Sequence, residues 1–214
     1  MSSRLSPFRL LSLVAAAGLF LSGCSLTRPA VVKQRYLLQA APPPVAATAV
    51  TPAAPARPGL LRINPITVAT PYAGGSLVCR LDEFRYEKDF YHEFFISPRD
   101  MFTDRTSDWL ERRRVFSAVL LNGSPLPPDF ELTGFVSEFC GDLRPGRAPE
   151  AVITVQFVLA DVRTAPAKFL WQNTFTRRIP LSGTAPADIV KGLDAALAAV
   201  LTDLTAALQA APNP

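Results

Sequence analysis

The chain has 214 residues, 22 Lys and Arg against 18 Asp and Glu, one histidine and three cysteines. That length is enough for one self-sufficient core after a short leader is set aside. A net charge of +4 with only one short basic run, Glu111 to Arg114, lacks the electrostatic footprint of a nucleic-acid binder and reads as a solvated helix end. One histidine and dispersed cysteines cannot assemble a zinc or iron site unaided, so neither a metal nor another cofactor is expected.

The first element is a leader. Arg4 and Arg9 precede an apolar stretch from Leu10 to Leu21 broken by Ser12 and Gly18. At about a dozen residues, against the ~20 of a bilayer-spanning helix, this is a secretory signal and not a permanent span. Leu21-Ser22-Gly23-Cys24 resembles the bacterial lipobox, in which cleavage precedes a cysteine whose thiol has been diacylated. Residues 1–23 are then a signal peptide and Cys24 is the lipidation site. Losing Arg4 and Arg9 leaves the mature chain only mildly basic. Acyl chains such as palmitate contribute ~0.8 kcal/mol per buried methylene, and several chains make a lasting anchor. The residue after the cysteine is Ser25, not the aspartate that accompanies inner-membrane retention of bacterial lipoproteins. The expected address is the periplasmic face of the outer membrane.

Next comes "KQRYLLQ", Lys33 to Gln39, whose Tyr36-Leu37-Leu38 is too apolar for a linker and is expected to be a strand that docks back onto the domain. From Ala40 to Pro58 the sequence is almost entirely Ala and Pro with no aromatic residue. It has nothing to bury and reads as an extended spacer of ~3 Å per residue. Residues 24–58 are thus lipidated N-terminus, docking strand and spacer, and 59–214 the folded domain.

Within the domain, "LLRINPITVAT" predicts a strand kinked at Pro65, near an edge or a bulge. "PYAGG" is a turn, and "SLVCRL" and "EFRYEKD" are two short strands around Asp82. In "ISPRDMFTDRTSDWLERRRVF", Ser97 is a good N-cap, Pro98 a good first helical residue and Asp100 a favourable third, with Met101, Phe102, Trp109 and Phe116 inward. "FSAVLL" follows as a strand. Three longer strands are expected over Phe130–Cys140, Ala151–Arg163 and Lys168–Ile179. In the middle one Ile153, Val155, Phe157 and Leu159 alternate with Val152, Thr154, Gln156 and Val158, the mark of a half-buried antiparallel strand. The last element places Ile189, Leu193, Leu197, Val200, Leu204 and Leu208 at helical spacing, one face packing and the other carrying Asp188, Lys191, Asp194 and Asp203. The predicted class is α+β: an antiparallel-rich mixed sheet with two helices packed on one face, in a single domain.

Residues with chemistry are few. His92 lies in an aromatic stretch with no recognisable nucleophile motif around it. "YAGGS" lacks the lysine and the length of a phosphate-binding loop. Asp82 and Glu83 are neighbours that would point apart on a strand, which is unsuited to paired acid and base work. No catalytic residues are assigned, and an enzyme is not expected. Cys79 and Cys140 could bridge in an oxidising periplasm, closing a loop of about 60 residues worth ~4 kcal/mol in the chain-entropy model. Equally, each could be a small buried apolar residue on its own strand. "EFRYEKDFYHEFF" packs Phe84, Tyr86, Phe90, Tyr91, Phe94 and Phe95 into one short run. Some of these, Tyr86, Tyr91, Phe94 and Phe95 among them, are candidate contacts for a partner or lipid, Tyr91 and Phe94 first, unless they fill the core under the first helix.

The order of these features resembles the ABC-type transport auxiliary lipoproteins, which accompany MCE-type (mammalian cell entry) lipid transporters. The matching features are the lipobox at Cys24, the Tyr36-Leu37-Leu38 strand, "LRINPITVATPYAGGSLVCRL", "DFYHEFFISP" leading into "RDMFTDRTSDWL", and the final helix. Where such proteins often carry a tryptophan before the Pro-capped helix, this chain has Phe94 and Phe95. The resemblance implies a non-catalytic component that docks a periplasmic MCE-domain carrier at the outer membrane, with a permease and ATPase as separate subunits and self-association left open. A different periplasmic lipoprotein, an activator of cell-wall synthesis or a secretion adaptor, is the alternative.

Overall fold

The computed structural model describes residues 32–42 and 57–211; Cys24 and most of the Ala/Pro-rich spacer lie outside the described residues. In chain order the elements are β1 (Gln34–Tyr36), β2 (Arg57–Ile63), β3 (Thr67–Val68), β4 (Ser76–Arg80), β5 (Tyr86–Phe94), α1 (Pro98–Arg112), β6 (Phe116–Leu120), β7 (Phe130–Asp142), β8 (Glu150–Asp161), β9 (Lys168–Pro180) and α2 (Pro186–Ala210). They form an α+β domain around one open mixed sheet of nine strands.

Strand β7 organises that sheet, because each of its edges needs hydrogen-bond partners along thirteen residues. One edge is satisfied by β8, antiparallel over the full length from Phe130–Asp161 to Asp142–Glu150, and β9 continues the meander beyond it. The other edge is met by three short parallel strands laid end to end. Leu61–Ile63 of β2 pairs with Phe130–Leu132, β3 with Phe135–Val136, and Cys79–Arg80 of β4 with Gly141–Asp142. Pro65 falls between β2 and β3, where a residue without an N–H would otherwise break a ladder. Past β4, a hairpin leads to β5, and β1 pairs with β5 in parallel at one margin of the sheet. The antiparallel ladders are long and the parallel ones short.

A bulge between Val136 and Glu138 resets the alternation of β7. Leu132 and Val136 face the helices before it, and Phe139 faces them after it. In β8 the residues Ile153, Val155, Phe157 and Leu159 are all buried. The opposite face carries a polar ladder, in which Thr154 bonds Glu138 and Thr176 at 2.7 and 3.0 Å. The helix face is dry, whereas the other face is solvated around Thr154 and buried around Cys140, Val152 and Asp142.

Both helices cover the dry face. Ser97 caps α1, its Oγ accepting from the Asp100 amide at 3.1 Å with Pro98 in the first turn. Met101, Phe102 and Trp109 point inward. The helix ends at Arg112, so Phe116 is buried from β6 instead. Helix α2 lays Ile189, Leu193, Leu197, Val200, Leu204 and Leu208 on the sheet. Trp109 Nε1 joins the helices by donating to Thr205 Oγ1 at 3.1 Å. Gly192 lets α2 approach closely: a Cβ there would overlap Leu181 and meet the Ala151 side chain at 2.8 Å.

The N-terminal segment is bound into this domain. Tyr36 pairs opposite Phe94, the Phe95 amide donates to the Tyr36 carbonyl at 2.7 Å, and Leu38 is fully buried. Asp194 of α2 then accepts the Gln39 and Ala40 amides on one carboxylate oxygen, at 2.6 and 2.9 Å. The other end of the spacer is held by Arg57, whose guanidinium donates to the Ala211 carbonyl at 2.7 Å at the end of the same helix. The spacer therefore starts and finishes on α2, at sites separated by about 25 Å of helix at a rise of ~1.5 Å per residue.

Replacing Asp194 with Ala leaves two amides without their charged acceptor. The Asp194→Ala domain is expected to lose about 1–3 kcal/mol in urea unfolding. Hydrogen exchange should accelerate at Gln39 and Ala40 and not in β8.

Candidate functional site

Sequence reading ends a strand near Asp89 and treats the aromatic residues after it as a connector. Instead β5 continues to Phe94, because it has partners on both edges: β4 up to the Ser76–Glu93 pair, and β1 from His92 to Phe94. Asp89 makes a local turn inside the strand, its Oδ1 accepting the amides of Tyr91 and His92 at 2.8 and 3.0 Å. This turn places the adjacent residues Phe90 and Tyr91 both in solvent, 62% and 53% exposed. Their rings meet edge to face at 5.3 Å.

The rest of the run divides in two. Phe94 is only 5% exposed and stacks on Phe139, with ring centroids 5.0 Å apart, above Phe102 of α1. The expectation of an exposed Phe94 is thus corrected: its strand position points it under the first helix. Phe95, one residue later, points the other way and is 66% exposed. Tyr86 is half-exposed at the far end of the strand, against the Arg80 guanidinium and edge-on to Tyr72. His92 stacks on Tyr36 and its Nδ1 lies 2.8 Å from Asp89 Oδ2, a packing role.

Phe90 and Tyr91 line an open cleft of about 390 Å3 together with Cys79, Leu81, Leu143, Glu87, Lys88 and Asp89. Lys33, at the entry to β1, places its amine 5.1 Å from the centre of the Phe90 ring and 2.9 Å from Glu93. Arg35 pairs with the same carboxylate at 2.9 Å. Aromatic density picks out Phe90, but the local sequence carries no sign that Lys33 sits over it, since the two meet only through the β1–β5 register. Phe84, in the turn between β4 and β5, is also exposed, but it is Phe90, Tyr91 and Phe95, with balanced charges around them, that suit contact with an apolar or interfacial surface.

Cys79 and Cys140 are both free thiols, so of the two readings the sequence leaves open, the one with no bridge describes the structure. Cys79 pairs across the ladder with Gly141, so it shares that residue's face, and Cys140, one residue earlier, projects to the opposite face. Burial, then the nearby Asp89 and Glu87, push the Cys79 thiol up to about 11. Burial, then Glu138 and Asp142, push Cys140 up to about 12. On the Cys140 face, buried Asp142 is held by Arg144 through bonds of 2.8 and 2.6 Å, and by Arg178 at 3.4 Å. The Arg144 hydrogen bonds keep its carboxyl below the usual range. These arginines are matched to carboxylates and form a structural knot. Among the described residues there is no cluster of three His, Cys, Asp or Glu side chains and no helix long and apolar enough to cross a membrane.

A family model described as the ABC-type transport auxiliary lipoprotein component matches residues 36–205. Among solved structures, a Xanthomonas campestris protein assigned to the DUF330 family superposes with a TM-score of 0.65 at 19% identity, covering 84% of this chain and 94% of its own. An uncharacterized protein superposes with a TM-score of 0.61 at 16% identity, covering 82% and 97% respectively. At these identities the likeness is one of fold. No curated protein matches the sequence.

Two thiols this basic and on opposite faces should neither bond nor react quickly. Native protein at neutral pH is expected to be alkylated at Cys79 and Cys140 only slowly, and fully after denaturation without reductant. A reductant requirement in the denatured state would reveal a disulfide.

Proposed function

Since the chain belongs to the ABC-type transport auxiliary lipoprotein component family, we propose that it is a non-catalytic lipoprotein of an MCE-type envelope lipid transport system, docking the periplasmic carrier at the outer membrane. Its lipid sits on Cys24, after removal of residues 1–23, and it faces the periplasm. ATP hydrolysis and substrate passage belong to the ATPase, permease and MCE-domain subunits.

The family match itself carries this reading, because residues 36–205 run from the end of β1 to the last turns of α2. The matched region thus takes in Tyr36 and the buried Leu38 of the docked segment as well as the sheet and helices behind it. What such a domain supplies is placement. A lipid anchor holds it at one membrane and raises its effective concentration near a carrier arriving from the other, without any new contact. Binding itself rests on the protein surface, where a few buried apolar and aromatic contacts dominate.

Anchor and domain are therefore separable by experiment. Residues 25–214 made without lipid should capture the MCE-domain protein of the same organism in vitro, yet fail to restore detergent resistance to a deletion strain. Capture of a cell-wall synthase with no binding to any MCE-domain protein would overturn the proposal.

A further inference from the structure

The exposed rings of β5 lie where the chain's N-terminal segment joins the sheet. Gln34 is paired with His92, Lys33 lies over Phe90, and the Phe95 amide bonds to Tyr36. Only eight residues, 25–32, lie between Cys24 and Lys33, a reach of at most ~30 Å for a fully extended chain. The long Ala/Pro-rich spacer follows the docked strand, and both its ends are tied to α2, so it adds nothing to that reach. From these observations we infer that the β1–β5 margin is a membrane-contacting surface, with Phe90, Tyr91 and Phe95 seated in the lipid headgroup region of the bilayer that carries the Cys24 anchor.

The chemistry of the margin fits a lipid surface. Aromatic rings favour the level of the headgroups, where an apolar body and a polar rim are both solvated. Lys33 and Arg35 are already neutralised by Glu93, and Lys88 is flanked in sequence by Glu87 and Asp89. The contact is thus chiefly apolar and does not depend on anionic lipid. The opposite margin, β9, is several strands away and presents one isolated exposed ring, Phe169, amid Lys168, Gln172, Asn173 and Thr174. This gives an internal control. The inference rests on lipidation of Cys24 and not on the identity of the transported lipid or carrier.

The test uses the full lipidated chain, its acyl mass verified, in vesicles of phosphatidylethanolamine and phosphatidylglycerol doped with brominated phosphatidylcholine. Phe90→Trp and Phe169→Trp are each compared with the parent, whose Trp109 and Trp171 supply a common background. The Phe90→Trp emission should be blue-shifted and about half quenched by bromine, as expected for a ring at headgroup depth, and the Phe169→Trp emission unquenched. Equal quenching at both positions, or none at Phe90→Trp in lipidated chain, overturns the inference while leaving the anchor intact. A chain that carries no acyl group at Cys24 overturns anchor and inference together. A variant with Phe90, Tyr91 and Phe95 all changed to Ser should still capture the carrier; loss of capture would make this margin a protein interface.

Discussion

The attachment of residues 33–40 to the domain is the constraint on which the rest of the account depends. It is made of unlike parts: a short parallel ladder to β5, a fully buried Leu38, and one carboxylate that takes two consecutive amides. No single part is large. The ladder alone is three residues long, and short strands of that kind hold only when side chains are buried beside them. Together they turn an N-terminal tail into the first strand of the sheet. The consequence is one of order: the Ala/Pro-rich stretch follows a strand of the sheet, so under the proposed anchoring at Cys24 it does not lie between membrane and domain.

How much of this could be read from sequence follows the range of the interactions. The alternation in Ala151–Asp161, the Ser97-Pro98 helix start and the apolar stripe of α2 are local patterns, and each appears in the fold where its period places it. The order of strands on β7 is non-local. Nothing near Cys79 in the chain says that it will pair with Gly141, so the opposition of the two cysteines across the sheet was illegible. The burial of Phe94 is not local either. Its neighbours Phe90, Tyr91 and Phe95 are just as aromatic, and the turn at Asp89 together with the pairing to β1 decides which of them reach Phe139 and which reach solvent. The Asp194 clamp was hidden too, since an acid on the polar face of a helix ordinarily signals only solvation.

The reading of the β1–β5 margin as a contact surface, unlike the family assignment, follows from the same division between buried and exposed groups. Ionisable side chains in the interior of the sheet are matched, as with Asp142 between Arg144 and Arg178, and they serve the fold. Among the rings that the fold leaves uncovered, Phe90, Tyr91 and Phe95 gather at one margin, while Phe84, Phe135 and Phe169 lie elsewhere. A component whose task is placement needs a surface and a leash of defined length. If Cys24 carries the lipid as proposed, the nine residues between it and β1, with an integral first strand, supply the leash. A family match that begins at Tyr36, inside that strand, fits the view that docking belongs to the domain as a whole.

The central claim is that the docked strand holds the domain against the bilayer. Neutron reflectometry of the lipidated chain on a supported bilayer tests it most directly. The account predicts protein density continuous with the headgroup layer. A hydrated gap of many tens of ångströms would contradict it, since that would require the docked strand to release and the whole stretch to Arg57 to act as tether, at ~3 Å per extended residue.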